Sequence, residues 1–330
     1  MINQREIDVL CAGIATWDTI FTGVDPDFLR MDGMTAKGYF ASSGGDAVNA
    51  AVNMARLGMK VSVAACIGKD SAGELVKQDL LKAGAKTGDL TERGDVHTAS
   101  PVLLVDTEGD RHILRVPDNA NYVFSEEMVT EEMLRKAGHL HFASANVLPG
   151  IDGKPLGRLF EKAHSLGLTT SLDVTFDKDG KWLDNIEDAL DYCDIFIPSL
   201  QEAKMYARSE DLKEITAFFR KWPIRIFGVK LGKEGVYLTD FREEWPLPTL
   251  YHGIPVDTTG AGDAFLAGFV SAWLKGYDIP SSGAIGSAQS ASVLGKTGAN
   301  TGAGSWDDAK KLCETNGIRL RMRRQRWHTM

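Results

Sequence analysis

Between residues 125 and 231 the chain keeps switching between two periodicities, and few folds accept such a pattern. Helix-like stretches at 125–137, 154–166, 184–192 and 211–221 alternate with strand-like runs at 139–143, 169–173, 194–198 and 224–231. Parallel strands need long crossovers, helices supply them, and the helices then cover both sheet faces. Two earlier runs, 7–12 and 60–67, have the same buried-strand character. The expectation is an α/β fold, a doubly wound, mainly parallel sheet with helices on both faces. In open sheets of this kind, ligands bind beyond the carboxyl ends of the strands.

Four further runs, at 19–24, 36–41, 101–106 and 112–116, are strand-like but have no helices between them. The last two flank Thr107-Glu-Gly-Asp110, a hairpin turn signal. They predict a small β-sheet lid over the ligand face, built from the discontinuous segments 16–41 and 98–118, that excludes water. With no internal repeat and no long linker, residues 1–330 read as a single domain carrying an inserted lid.

Composition narrows the function. A formal net charge of −8 disfavours nucleic acid, because the body repels phosphates. The four cysteines are far apart and form no CxxC pair, which argues against structural zinc and suits a reducing compartment. The polar N-terminus and the lack of a long apolar run predict no membrane partner and a cytoplasmic location. At the other end, Arg319, Arg321, Arg323, Arg324 and Arg326 mark an Arg-rich tail over 317–330, read as solvated and without a function.

The segment with most chemistry is Asp257-Thr-Thr-Gly-Ala-Gly-Asp-Ala-Phe265. It follows a polar, Pro-containing approach over 245–256 and leads into a helical pattern over 264–275. Gly260, Ala261 and Gly262 therefore fall in a first helical turn, where exposed N–H groups and the helix dipole favour a phosphate. Asp263, beside that anion site, has the chemistry of a general base for an attacking hydroxyl. Other phosphate motifs fail. Gly295-Lys-Thr297 lacks the first glycine of a P-loop, since Ser290 stands there, and Phe265 breaks the dinucleotide fingerprint.

Asp257–Phe265 resembles the second signature of the ribokinase-like (PfkB) carbohydrate kinases. Ser43-Gly-Gly-Asp-Ala-Val-Asn-Ala-Ala-Val-Asn-Met-Ala-Arg-Leu-Gly58 is similar to the first, and the likeness runs from about Asp8 to Ala303. The resemblance implies an ATP-dependent phosphotransferase with Mg2+, and in some members K+. It makes Asp18, Gly44, Gly45 and Asn49 substrate contacts, with Asp173 a further candidate at a strand end, although the usual Asp-Pro-Asn is absent there. Asn53 and Arg56 read as a polar helix face. Lys230, Gly232 and Gly235 fall on the nucleotide segment, where Lys230 and Lys233 also admit a solvated reading. Glu202 matches a glutamate acting on magnesium through water, with Ser199 in place of the usual Asn. Asp257 and Thr259, with Gly298 and Ala299, match a monovalent-cation turn.

Asp46 directly follows the glycine pair, where several relatives have Lys. A carboxylate there opposes a phosphorylated substrate by about 1 kcal/mol in water at close range, and by more if poorly solvated. The expected substrate is a free sugar, with a nucleoside as alternative and Trp17, Phe21, Tyr39 and Tyr122 as available stacking groups. A non-catalytic sugar or nucleotide sensor is the rival of another class. Exposed lid edges suggest a homodimer.

Overall fold

The computed structural model describes residues 5–108 and 111–323. Gly109 and Asp110 of the expected hairpin turn, and Arg324 and Arg326 of the tail, lie outside the described residues. An eight-stranded sheet forms the body. Across it run Glu244–Leu247, Val236–Thr239, Ile226–Lys230, Ile195–Phe196, Thr169–Val174, Ala137–Ala145, Ile7–Gly13 and Val61–Ala64. The pairings from Val61–Ala64 to Ile226–Lys230 are parallel, and the first two strands are antiparallel additions at one edge.

Strand Ile7–Gly13 shows why the sheet is buried on both faces. Val9 and Cys11 enter one apolar layer, while Leu10 and Ala12 enter the other. Because side chains alternate along a strand, a continuous apolar run is what a two-sided core requires. Helices Lys154–Ser165, Leu200–Ala207 and Leu212–Phe219 cover one face. Helices Asp46–Arg56, Ser71–Ala83 and Ala261–Leu274 cover the other.

The separate small sheet is present, in the order Gly38–Gly44, Thr16–Val24, Val102–Asp106, Arg111–Leu114. The run over 60–67 corresponds to two strands instead of one. Val61–Ala64 stays in the main sheet, while Cys66–Gly68 pairs with Thr91–Arg93 in a two-stranded sheet. The helix expected over 125–137 is also divided. A 3-10 turn at Glu126–Met128 precedes the short helix Glu131–Lys136, which the Thr130 hydroxyl caps at Met133 N–H. Ala137 already begins a core strand, so pairing with Ile7 overrides its helical propensity. The stretch over 184–192 forms only a 3-10 turn at Trp182–Asn185 and one helical turn at Glu187–Leu190. Part of the polar approach, Glu244–Leu247, is an edge strand whose Pro246 sits where a missing N–H is tolerated.

The described part of the tail is not loose. Arg321 N–H donates to Ser281 Oγ, Arg321 carbonyl accepts from Asp278, and Arg323 N–H donates to the Gly276 carbonyl. Ile318 and Leu320 also pack on a small apolar cluster that includes Ala272, Ile285 and Cys313.

Gly260 fixes the start of helix Ala261–Leu274. It adopts φ +75, and an added Cβ would stand 2.1 Å from the Ala299 carbonyl oxygen, part of a backbone that cannot step aside. Replacing Gly260 with Ala is expected to destabilise the fold by about 2 kcal/mol or more. The midpoint of urea unfolding measures this, and an unchanged midpoint would contradict the packing described.

Candidate active site

The predicted residues converge at the carboxyl edge of the parallel strands. Strand Ile7–Gly13 leads there into Asp18, Ala137–Ala145 ends beside Ser144, Thr169–Val174 carries Asp173 and Ile226–Lys230 ends in Lys230. Three helices start at the same edge, each with an acid in its first turn: Asp46, Glu202 and Asp263. The positive end of each helix dipole faces these carboxylates and lowers the cost of gathering them.

Asp263 sits in the first turn after Gly260, Ala261 and Gly262. Helical geometry leaves the N–H groups of this turn without partners inside the helix. Asn49 Nδ2 donates to Asp263 Oδ2 at 2.8 Å, and Asn49 Oδ1 accepts from Asn300 Nδ2 at 3.0 Å. Asn49 is thus already engaged in holding Asp263. Desolvation, followed by the nearby charges of Asp46 and Asp173, pushes the Asp263 pKa well above the usual carboxylate range, against the opposing pull of Asn49 and Lys230.

Asp46 accepts from Ser144 Oγ at 2.6 Å and from Thr175 Oγ1 at 3.0 Å. Burial still raises its pKa, with Asp173 adding to the effect. Asp18 accepts from Thr16 Oγ1 at 2.7 Å. Gly44 lies against Asp18, since a Cβ there would stand 2.1 Å from Oδ2. Gly45 caps helix Asp46–Arg56 at φ +85, a conformation that suits a residue without Cβ. Asn53 points away from this group, accepting from Gln289 and donating to the Asn49 carbonyl, which fits the polar-face reading.

Lys230 is not a solvated lysine. Its side chain is 17% exposed and its Nζ donates to Asp173 Oδ1 at 3.1 Å. Gly232, at φ +60, faces open space, whereas a Cβ on Gly235 would meet the Leu247 carbonyl oxygen at 2.1 Å. Packing alone therefore accounts for Gly235. Ser199, in place of the usual Asn, caps helix Leu200–Ala207, its Oγ accepting Glu202 N–H and its own N–H donating to Glu202 Oε2 at 2.7 Å. Asp257 joins two loops, accepting Thr259 N–H at 2.9 Å and Gly298 N–H at 3.0 Å.

Thr16, Ser144, Thr175 and Asn300 belong to the site and were missed by sequence reasoning. Only Asn300 had a signal, its place beside Gly298-Ala299; the hydroxyls lie far apart in sequence from the acids that they meet. A cavity of about 480 Å3, lined by Arg225, Trp273 and Arg323 among others, lies at the opposite edge, where strand Ile226–Lys230 begins. It contains none of the predicted site residues.

Carboxylates able to accept from hydroxyls thus share one edge with a helix start whose N–H groups can receive an anion. Comparison with known proteins agrees. The family described as pfkB family carbohydrate kinase matches over residues 7–306. An uncharacterized sugar kinase of Archaeoglobus fulgidus is 30% identical over 76% of this chain and 98% of its own length. An ATP-dependent ribose-1-phosphate kinase of Halopiger xanaduensis is 28% identical, covering 89% of this chain and 94% of that one. An Escherichia coli protein solved as a ribokinase II with ATP and Mg2+ superposes with a TM-score of 0.81 at 19% identity, covering 94% and 99% of the two chains.

Burial, with the Asp46 charge assisting, raises the Asp18 pKa to about 6, against its bond to Thr16 and the charge of Arg115. A folded pKa above the unfolded value gives stability at low pH that is lost as pH rises through about 6. Asp18→Asn is therefore expected to stabilise the fold by about 1–3 kcal/mol near neutral pH and above, the gain vanishing as pH falls towards about 4. Unfolding curves across this range test it; a variant no more stable than the parent at about pH 8 would refute it.

Proposed function

The chain belongs to the pfkB family of carbohydrate kinases, and on that footing we propose that it transfers the γ-phosphoryl group of ATP to a hydroxyl of a small neutral sugar, with Asp263 as the general base. The observation that carries this reading is the placement of Asp263 in the first turn of the helix that begins at Gly260, held by Asn49 at the carboxyl edge of the sheet.

The acceptor lies among Asp18, Gly44, Gly45 and Asp173, where carboxylates accept hydrogen bonds from its hydroxyls, while Asn49, engaged by Asp263 and Asn300, orients the base beside it. Its hydroxyl proton passes to Asp263 as the oxygen bonds to the γ-phosphorus. The bond from that phosphorus to the bridging oxygen breaks, and ADP leaves with the electron pair. The N–H groups of Gly260–Gly262 stabilise charge on the transferring group. Gly232 borders the nucleotide, and Gly235 shapes the turn beside it.

The site fits magnesium carried by the nucleotide. Glu202, whose Oε2 accepts the Ser199 N–H at 2.7 Å, stands near Asp173 and Lys230 and supplies an oxygen donor of the hard type magnesium takes. Glu202 would then act through water. Magnesium, when bound, neutralises phosphate charge. A K+ ion would sit between the loops that Asp257 and Thr259 share with Gly298.

Asp46 favours the neutral acceptor, since a carboxylate near an incoming phosphate costs up to about 4 kcal/mol at an effective dielectric of about 20. Aromatic contacts bear on the nucleoside alternative: Phe21 and Tyr39 pack on each other at 5.4 Å, Trp17 is half-buried, and Tyr122 is exposed and free to stack. The small sheet serves as the lid. Its outer residues Tyr39 and Leu114 are exposed and apolar, which supports a homodimer through that sheet. Four buried, unpaired cysteines support a cytoplasmic location.

Release of ADP from Mg-ATP across free sugars, sugar phosphates and nucleosides tests the reading. Turnover is expected on a neutral sugar, and Asp263→Asn is expected to lower kcat by about 10²–10⁴-fold with folding retained. Near-normal turnover by that variant would sink the base assignment.

A further inference from the structure

We infer that Lys230 is a catalytic residue of this reaction, its ammonium meeting the γ-phosphoryl group in front of helix Ala261–Leu274 while Asp173 holds it in position. This rests on the kinase reading above and adds to it a cation that the protein itself supplies to the transferring group.

Placement comes first. Lys230 ends strand Ile226–Lys230, and its Nζ lies 3.2 Å from where a Cβ on Gly262 would stand. The ammonium thus occupies the space in front of the helical turn whose N–H groups point outward. Gly262 leaves room for that approach. A side chain there would have to displace the ammonium or keep the phosphate away.

The donor inventory comes second. An ammonium has three N–H donors. One is given to Asp173 at 3.1 Å, and among the described residues the others meet no protein acceptor. A phosphoryl oxygen supplies what is missing, through a charge-assisted hydrogen bond.

Charge comes third. The acids around Lys230 are Asp173 on the adjoining sheet edge, Glu202 on helix Leu200–Ala207, Asp263 on helix Ala261–Leu274 and Asp46 on helix Asp46–Arg56. His141, buried in the strand beside Asp173, is neutral, since burial holds its pKa at about 3. Burial alone would lower the lysine pKa, but Asp173, Glu202 and Asp263 raise it overall, so the group stays charged. Without it, a triphosphate would approach several carboxylates with only a helix terminus, worth roughly half a charge, to meet it. Lys230 has a second effect, because its charge holds Asp263 towards the anionic form that accepts a proton.

A purely structural ion pair is the alternative, and nucleotide discrimination separates the two. Calorimetry would compare β,γ-methylene-ATP with ADP, each with Mg2+, on the parent, Lys230→Met, Lys230→Arg and the double variant Lys230→Met/Asp173→Asn. The parent is expected to favour the triphosphate. Lys230→Met should lose about tenfold or more of that preference while ADP affinity changes by less than about threefold. Lys230→Arg should keep part of it. In Lys230→Met, the acidic limb of kcat/KM should also move to higher pH, because Asp263 loses its cationic neighbour. The double variant removes both buried charges. It should recover the melting temperature lost by Lys230→Met without recovering the triphosphate preference. A parent-like preference in either Met variant would overturn the inference while leaving the kinase reading intact. A parent enzyme silent on every acceptor in the panel would instead remove the kinase reading itself.

Discussion

Too many carboxylates meet at the carboxyl edge of this sheet to share it without help, and the Lys230–Asp173 ion pair lets them do so. Asp46, Asp173, Asp263 and Glu202 arrive on four separate elements. In a poorly solvated edge their repulsion would drive several of them to the neutral form. Lys230, paired at 3.1 Å, offsets part of that repulsion. Helix termini and hydroxyls do the rest, with Ser144 and Thr175 on Asp46 and Thr16 on Asp18. Burial first, and neighbouring carboxylates second, still hold the pKa values of Asp46, Asp263 and Glu202 above the usual carboxylate range. That residual strain is typical of a site held ready for a ligand.

The same edge links parts of the chain that are distant in sequence. Asn49 lies on the helix that follows strand Gly38–Gly44, Asp263 opens a helix late in the chain, and Asn300 comes from the loop after the next helix, Ile279–Leu294. One amide therefore connects the segment next to the small sheet, the Asp263 carboxylate and the loop that carries Gly298. Asn300 extends the link to the Ser43 carbonyl at the end of strand Gly38–Gly44. Three hydrogen bonds in series, Ser43 to Asn300, Asn300 to Asn49 and Asn49 to Asp263, thus connect the small sheet to Asp263.

Much of this was legible early. The alternating periodicities from residue 125 onward required crossovers, and with them a doubly wound sheet. The four strand-like runs outside that alternation corresponded to the small sheet, although helices Asp46–Arg56 and Ser71–Ala83 separate the second from the third, against the expectation of no helices between them. Gly260-Ala-Gly-Asp263 read correctly as a helix start, because glycine spacing and the following apolar period are local properties. Boundaries were less legible. Nothing local in 60–67 says that the chain changes sheets after Ala64, since both strands are equally apolar. The helix expected over 125–137 stopped early because Ala137 pairs with Ile7, a contact across more than a hundred residues.

The sequence by itself determined the class of fold, the glycine turn that starts a helix after Gly260 and the place of Asp263 in that turn, because each depends on neighbours within a few residues. Only the tertiary structure decided what surrounds that acid. Lys230 could be solvated or buried as far as its own neighbours show. Its burial follows from the sheet order that sets strand Ile226–Lys230 two places from Thr169–Val174, with Asp173 within reach. Asn49 could contact a ligand or a protein group, and the packing of helix Asp46–Arg56 near helix Ala261–Leu274 assigned it to Asp263. Electrostatic environment depends on distance in space, and distance in space is what a linear chain does not carry until it folds.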